Sequence, residues 1–148
     1  MKNSRYIILF FIVLTIAFIW GNSTLSQEQS NQVSQTVREV VNKIVPANEQ
    51  NPDGSFSNHF IRKAAHVFEY ATLGVLLAVL IDKITLKQMG FALAFGVVIA
   101  SFDETIQIFF QRGPAVRDVM IDTCGLVCGM LCVYFIRILS RELRRRKE

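Results

Sequence analysis

A histidine and several acidic side chains stand inside segments of this sequence that are otherwise apolar. An imidazole titrates near neutral pH, so it can act as a general acid or a general base. A carboxylate beside it can orient the ring or accept a proton. The candidates for catalysis are His66, Glu69, Glu104 and Asp122. No serine or cysteine stands beside His66 in the sequence, so no nucleophile is nominated.

Basic, amide and further acidic residues accompany these four. The candidates for substrate binding are Arg62, Lys63, Tyr70, Asp103, Gln107, Arg112 and Asp118. Arginine and lysine at the mouth of a pocket can bind a phosphate or carboxylate. Several carboxylates close together in a low dielectric cannot all stay ionised. Cations at the rim and acids inside would suit an amphiphile with its tail in lipid and its headgroup in the pocket.

The polar residues recur at helical spacing within each segment, which places them on one face of a helix. The pairs that show this spacing are Arg62 and His66, Glu104 and Gln107, and Asp118 and Asp122. Plain ion pairs between helices, such as Arg62 with Glu69 or Arg112 with Asp118, are the structural alternative to a functional pocket. Interhelical polar contacts in membranes often contribute under about 1 kcal/mol.

The elements that position these residues are four long apolar blocks. The chain has 148 residues, of which 51% are hydrophobic and 19% charged. The blocks cover residues 6–20, 64–81, 89–110 and 119–139. A helix that crosses a membrane needs about 20 mostly apolar residues, and only helices satisfy the backbone over such a stretch. The sequence therefore predicts an all-α, polytopic membrane protein built as a bundle of four transmembrane helices.

Charge indicates the orientation of these helices. Lysine and arginine are more frequent in the segments that share a side with the two termini, so both termini are predicted in the cytoplasm of a multi-pass membrane protein. With this topology, polar groups of the second, third and fourth spans share one depth, roughly 6 Å below the outer surface. The sequence thus predicts a polar pocket that opens on the extracytoplasmic side.

Four regions follow from these patterns. Residues 1–21 are a transmembrane helix, favoured as an uncleaved signal anchor because no Ala-x-Ala-like cleavage site follows it. Residues 22–60 form an extracytoplasmic loop with a short amphipathic helix, which either covers the bundle or lies on the outer leaflet. Residues 61–139 are a three-helix core, and residues 140–148 are a basic cytoplasmic tail.

Nucleic-acid binding is disfavoured, because the basic tail is better explained as an anchor beside anionic lipid headgroups. Cys124, Cys128 and Cys132 lie along one helix. The first and the last of them are roughly 12 Å apart along its axis, so the three thiols cannot surround one ion. They are interpreted as small packing residues, and no metal site or cofactor is predicted. Gly125 and Gly129 form a small-xxx-small motif that lets another helix approach closely. The sequence leaves open whether the chain forms a homo-oligomer.

These residues together resemble the VanZ-like family over about residues 60–130. The matching segments are Arg62-Lys63-Ala64-Ala65-His66-Val67-Phe68-Glu69-Tyr70, Glu104 with Gln107, and Arg112, Asp118, Gly125 and Gly129. Asp122 departs from the pattern, because the family usually has asparagine there. The resemblance implies a small bacterial membrane protein and a link to resistance against the lipoglycopeptide teicoplanin, and it implies no reaction.

Three hypotheses follow. The chain is an envelope enzyme acting on a lipid-linked substrate, or a binding protein that captures or excludes an amphiphilic antibiotic without chemistry. The third is a transporter or proton relay. The relay is disfavoured, because no ionisable group continues toward the cytoplasmic half of the second or third span.

Overall fold

The protein is helical throughout the part of the chain that is described. The computed structural model describes residues 2–44, 57–81, 85–110 and 116–146. Within them the helices are α1 (Lys2–Ser23), α2 (Gln27–Ile44), α3 (Asn58–Leu80), α4 (Leu86–Phe109) and α5 (Val116–Arg145). These residues include no strand, so the predicted all-α architecture is confirmed.

Helices α1, α3, α4 and α5 are each long and apolar enough to cross a membrane. The shortest of these candidate spans has 21 residues, which corresponds to about 30 Å of helix. Large apolar side chains such as Phe10, Phe68, Phe91 and Phe135 are exposed on the outside of the helices. An apolar exterior of this kind suits contact with lipid. The prediction of four spans with a polar helix after the first is therefore confirmed.

Hydroxyl side chains begin two of the spans. Ser57 precedes α3 and accepts a hydrogen bond from the backbone N–H of Phe60 at 3.2 Å. Thr85 precedes α4 and accepts one from the N–H of Gln88 at 3.3 Å. The first N–H groups of a helix have no partner within the helix, so these caps fix where each span starts.

An arginine of α5 binds the carbonyl groups at the C-terminal end of α3. The Arg137 guanidinium of α5 donates to the carbonyl oxygen of Ile81 at 2.7 Å and to that of Val79 at 3.2 Å. The last carbonyl groups of a helix otherwise lack partners, and a cation there also complements the helix dipole. Arg137 is therefore held by the backbone of its neighbour although it interrupts an apolar block.

Glycines allow α3 and α5 to pack with their backbones in contact. A Cβ at Gly129 or Gly74 would overlap the facing backbone of the other helix, and one at Gly125 would lie 2.5 Å from the carbonyl oxygen of Val67. The predicted close approach at Gly125 and Gly129 is thus confirmed. On α4, Gly96 leaves space for the Leu126 side chain of α5, which is fully buried.

The amphipathic helix α2 packs against α3. Its buried residues are serines: Ser30 and Ser34 are almost fully buried, whereas Val33, Val37 and Val40 are exposed. The apolar face of this amphipathic helix, which carries the three valines, therefore stays exposed and is not covered by the bundle.

Candidate functional site

Three helices bring His66, Asp103 and Asp122 together at the end of the bundle where α3 and α5 begin and α4 ends. His66 Nδ1 lies 3.7 Å from Asp103 Oδ2 and 3.7 Å from Asp122 Oδ1. The Asp103 side chain is 0% exposed and that of Asp122 is 1% exposed. We call these three residues the polar triad. Two buried carboxylates therefore share one imidazole.

A network of amides and hydroxyls surrounds the polar triad. Gln107 Nε2 donates to Asp103 Oδ2 at 3.3 Å and also lies 3.3 Å from Ser23 Oγ on α1. Glu104 is almost fully buried one turn earlier on α4. Tyr70 is fully buried, and its hydroxyl has no hydrogen-bond partner among the described residues. This hydroxyl lies within electrostatic range of both triad aspartates.

Glu69 of α3 is held by a side chain of α1. Its Oε1 accepts a hydrogen bond from Asn22 Nδ2 of α1 at 2.7 Å. Asn22 and Ser23 are polar contacts to the site that were missed from the sequence. They stand where the first span ends on the same side as the other polar groups, so the depth argument, if applied to that span, would have pointed to them.

The basic residues at the start of α3 have separate partners. Lys63 forms a 2.7 Å ion pair with Asp118 of α5, both half-buried. An Arg62 guanidinium nitrogen lies 3.4 Å from His59 Nδ1. Arg62 and Glu69, considered from the sequence as an ion pair, have other contacts: Arg62 lies near His59, and Glu69 bonds to Asn22. The pairing of Arg112 with Asp118 stays a prediction. Arg112 lies outside the described residues.

Two spaces meet at Arg62 and His66. A small polar cavity of about 10 Å³ lies beside the triad, and its lining includes Glu104, Gln107 and Asp122. A much larger groove of about 430 Å³ lies on the other side of α3, between α3 and α2. The groove is lined mainly by apolar residues, among which are Val33, Val37, Val41, Phe60 and Phe68. Arg62 and His66 line both spaces, so they stand at the border between a polar and an apolar compartment.

The three cysteines do not take part in this site. Cys124, Cys128 and Cys132 are free thiols on the exposed surface of α5. The interpretation of these residues as helix-packing residues is therefore wrong. Their spacing of four residues keeps them on one face, but the glycine face is the one that packs against α3.

Comparison with known proteins places these residues in a family. The model of the VanZ/LLP1 family matches residues 6–137, a range that includes the polar triad and the side chains around it. The chain belongs to the VanZ/LLP1 family. The resemblance drawn from the motifs in α3, α4 and α5 is thereby confirmed, and the match extends to α1 and α2.

This VanZ-family chain is similar to the uncharacterized membrane protein YwnJ of Bacillus subtilis. The two sequences are 36% identical over 90 residues, which cover 60% of this chain and 56% of the relative. The chain thus spans little more than half the length of that protein. No solved structure matches the chain.

Proposed function

We propose that this VanZ-family membrane protein binds an amphiphilic, lipid-linked molecule of the cell envelope and acts on its headgroup. The observation that carries the proposal is the border formed by Arg62 and His66. An apolar groove on one side of these residues and a polar cavity on the other suit a ligand with a tail and a headgroup. The family membership adds the link to teicoplanin resistance, as an expectation for this chain.

The roles of the side chains follow from their positions. His66 is the proposed general acid or base, and Asp122, 3.7 Å from its Nδ1, is the proposed orienting group. Glu104 and Gln107 line the cavity and would position the headgroup. Arg62 would bind an anionic group, because a guanidinium pairs well with phosphate or carboxylate.

The remaining candidates have supporting roles in the proposal. Glu69, fixed by Asn22, lies along the groove and would contact the part of the ligand between tail and headgroup. Lys63 and Asp118, as an ion pair, would hold α3 and α5 together at the rim. Tyr70 would donate its hydroxyl to a polar group in the cavity. Arg112 is proposed as a second cation at the rim on the basis of the sequence alone.

The orientation belongs to the same proposal. The site lies at the end of the bundle where α1 ends and α3 begins, and the charge pattern of the termini favours the outer leaflet for this end. A ligand could then enter the groove laterally from that leaflet and never cross the membrane.

The test compares the lipid and wall-precursor pools of a deletion strain complemented with the wild-type chain, His66→Ala or Glu104→Gln. We expect both variants to fail to restore the wild-type pool composition and teicoplanin resistance at wild-type protein levels. Glu142→Gln is the matched control, because this carboxylate is exposed near the far end of α5 and pairs only with its helix neighbour Arg145 in the described chain. Full activity of both site variants would contradict the proposal.

A second candidate function is capture of an amphiphile without chemistry. The polar cavity holds about 10 Å³, whereas the apolar groove holds about 430 Å³, which favours a ligand bound mainly through its tail. In this case the envelope pools stay unchanged, and the purified protein binds the amphiphile saturably. A bulky substitution in the groove, Ala64→Trp, would then abolish binding, whereas His66→Ala would retain it.

A further inference from the structure

We propose that the polar triad is a binding site for one divalent metal cation. His66 Nδ1 and one oxygen each of Asp103 and Asp122 lie within 4.8 Å of one another. Each ligand comes from a different helix, so they surround a point instead of following one helix face. The arrangement thereby differs from a surface cluster of acids, since all three side chains converge inside the bundle.

The distances are close to those of a metal site. With bonds of about 2.0–2.2 Å, two ligands of a tetrahedral or octahedral ion lie about 3–3.5 Å apart. The imidazole nitrogen lies 3.7 Å from each carboxylate oxygen, and all three atoms lie within 4.8 Å of one another, so the side chains would move inward to reach this range.

A second observation supports a ligand at this point. The other oxygen of Asp122, Oδ2, is buried and has no hydrogen-bond partner among the described residues. The Tyr70 hydroxyl is equally buried and lacks such a partner in the same part of the chain. Polar atoms buried in this way cost free energy unless something satisfies them. A cation at this point would satisfy the Asp122 oxygen, and the Tyr70 hydroxyl lies within electrostatic range of both triad aspartates.

Charge favours a cation over a water alone. Two carboxylates at membrane depth are expensive to bury, and their mutual repulsion adds to the cost. A divalent ion bridging Asp103 and Asp122 would balance both carboxylates and hold α4 and α5 at a fixed distance. His66 would then be a metal ligand, and its proposed role as general acid or base belongs to the metal-free site.

The surroundings provide the other features of a metal centre. Gln107 donates a hydrogen bond to the proposed ligand atom Asp103 Oδ2 and would fix its orientation, as residues around a metal site commonly do. The adjoining cavity of about 10 Å³ is close to the space needed for one water molecule. Three protein ligands and a water are the pattern of sites that keep one coordination position open. One imidazole and two carboxylates suit Zn²⁺ or Mn²⁺.

The sequence does not predict this site. Its ligands are separated by 37 and 19 positions in the chain, so no short ligand-spacing motif exists, and the only regular series of metal-type residues is the three cysteines. Those thiols are exposed and lie along one helix face. The triad becomes recognisable only when the three helices are packed.

The experiment measures metal bound to the full-length chain purified in detergent. The protein is stripped with a chelator, dialysed against Zn²⁺ or Mn²⁺, and analysed by elemental mass spectrometry and titration calorimetry. We expect about one tightly bound ion per chain for at least one of these metals. Asp122→Asn and His66→Ala should lose the ion or weaken its binding at least about 10-fold, and Gln107→Ala should weaken it by a smaller factor.

Two controls keep the outcome specific. Glu142→Gln removes an exposed carboxylate far from the triad, and Cys124→Ser/Cys128→Ser/Cys132→Ser removes the thiols; both should bind as the wild type does. Asp122→Asn is expected to fold, because an amide preserves the size and shape of the carboxylate side chain. Its helicity and elution volume in detergent verify this.

Either of two results would overturn the proposal: no bound ion with either metal in folded protein, or an ion that Asp122→Asn and His66→Ala both retain. Loss of the ion in the cysteine variant alone would also overturn it. The measurement uses no lipid substrate, so its failure is independent of the envelope-pool experiment. Conversely, unchanged envelope pools in the site variants would contradict the proposed function and not the metal site.

Discussion

At the scale of single residues, buried polar side chains of different helices fix one another. Asn22 donates to Glu69, and Gln107 links Ser23 to Asp103, so α1 is attached to the core through polar contacts near one end. Such contacts are modest in strength in membranes. They are specific, however, because a polar group inside the bundle has few other partners.

The contact between Asn22 and Glu69 has a measurable consequence. We expect Asn22→Ala to lower the free energy of unfolding in detergent by about 1 kcal/mol, because Glu69 Oε1 loses the donor at 2.7 Å. Thermal unfolding followed by circular dichroism measures the change. Thr15→Ala is the control on the same helix, since the Thr15 hydroxyl bonds only back to the Phe11 carbonyl in the described structure. Equal stability of the two variants would contradict the prediction.

At the scale of elements, the packing of α3 on α5 determines where the polar residues point. The two helices approach so closely that glycine is needed at Gly74, Gly125 and Gly129. This approach sets the rotation of each helix about its axis. His66 on α3 and Asp122 on α5 consequently face each other, with Asp122 about one turn before Gly125.

A methyl group at this contact should therefore be costly. We expect Gly129→Ala to destabilise the folded protein by about 1–3 kcal/mol, because its Cβ meets the backbone of α3 and not a side chain that can move. Gly90→Ala is the control, since a Cβ at Gly90 on α4 meets nothing within 4 Å. It should leave stability unchanged or raise it slightly, because alanine favours helix over glycine. Denaturant titration in detergent compares the two, and a neutral Gly129→Ala would refute the close contact.

At the scale of the whole molecule, the even number of candidate spans predicts that both ends of the chain lie on one side of the membrane. The charge pattern predicts that this side is the cytoplasm. The proposed site then faces outward, since it lies at the end of the bundle opposite the start of α1 and the end of α5.

Reporter fusions test this orientation. Alkaline phosphatase, which needs disulfides and folds only outside the cytoplasm, should be inactive after Glu148 and active after Ile44. Green fluorescent protein at the same two positions is the complementary control and should fluoresce only after Glu148. Phosphatase activity at the C-terminus would reverse the predicted topology and move the site to the inner leaflet.

The amino-acid sequence by itself determined the spans and their polar faces. Apolar blocks of about 20 residues can be satisfied in lipid only as helices, and the spacing of His66 after Arg62 or Asp122 after Asp118 places polar groups on one face. Alternating span direction then aligned these groups in depth. The motifs in the same residues also indicated the family, which the match over residues 6–137 confirmed.

Only the tertiary structure decided which polar groups meet. Depth along a helix follows from counting residues, but the neighbour across an interface depends on how far each helix is rotated and how closely it packs. Backbone contact at the glycines of α3 and α5 sets that rotation. As a result His66 lies beside Asp103 and Asp122, whereas Glu69 accepts a hydrogen bond from Asn22. The border between groove and cavity has the same origin, because it exists only where α2 and α3 enclose a space that neither helix contains alone.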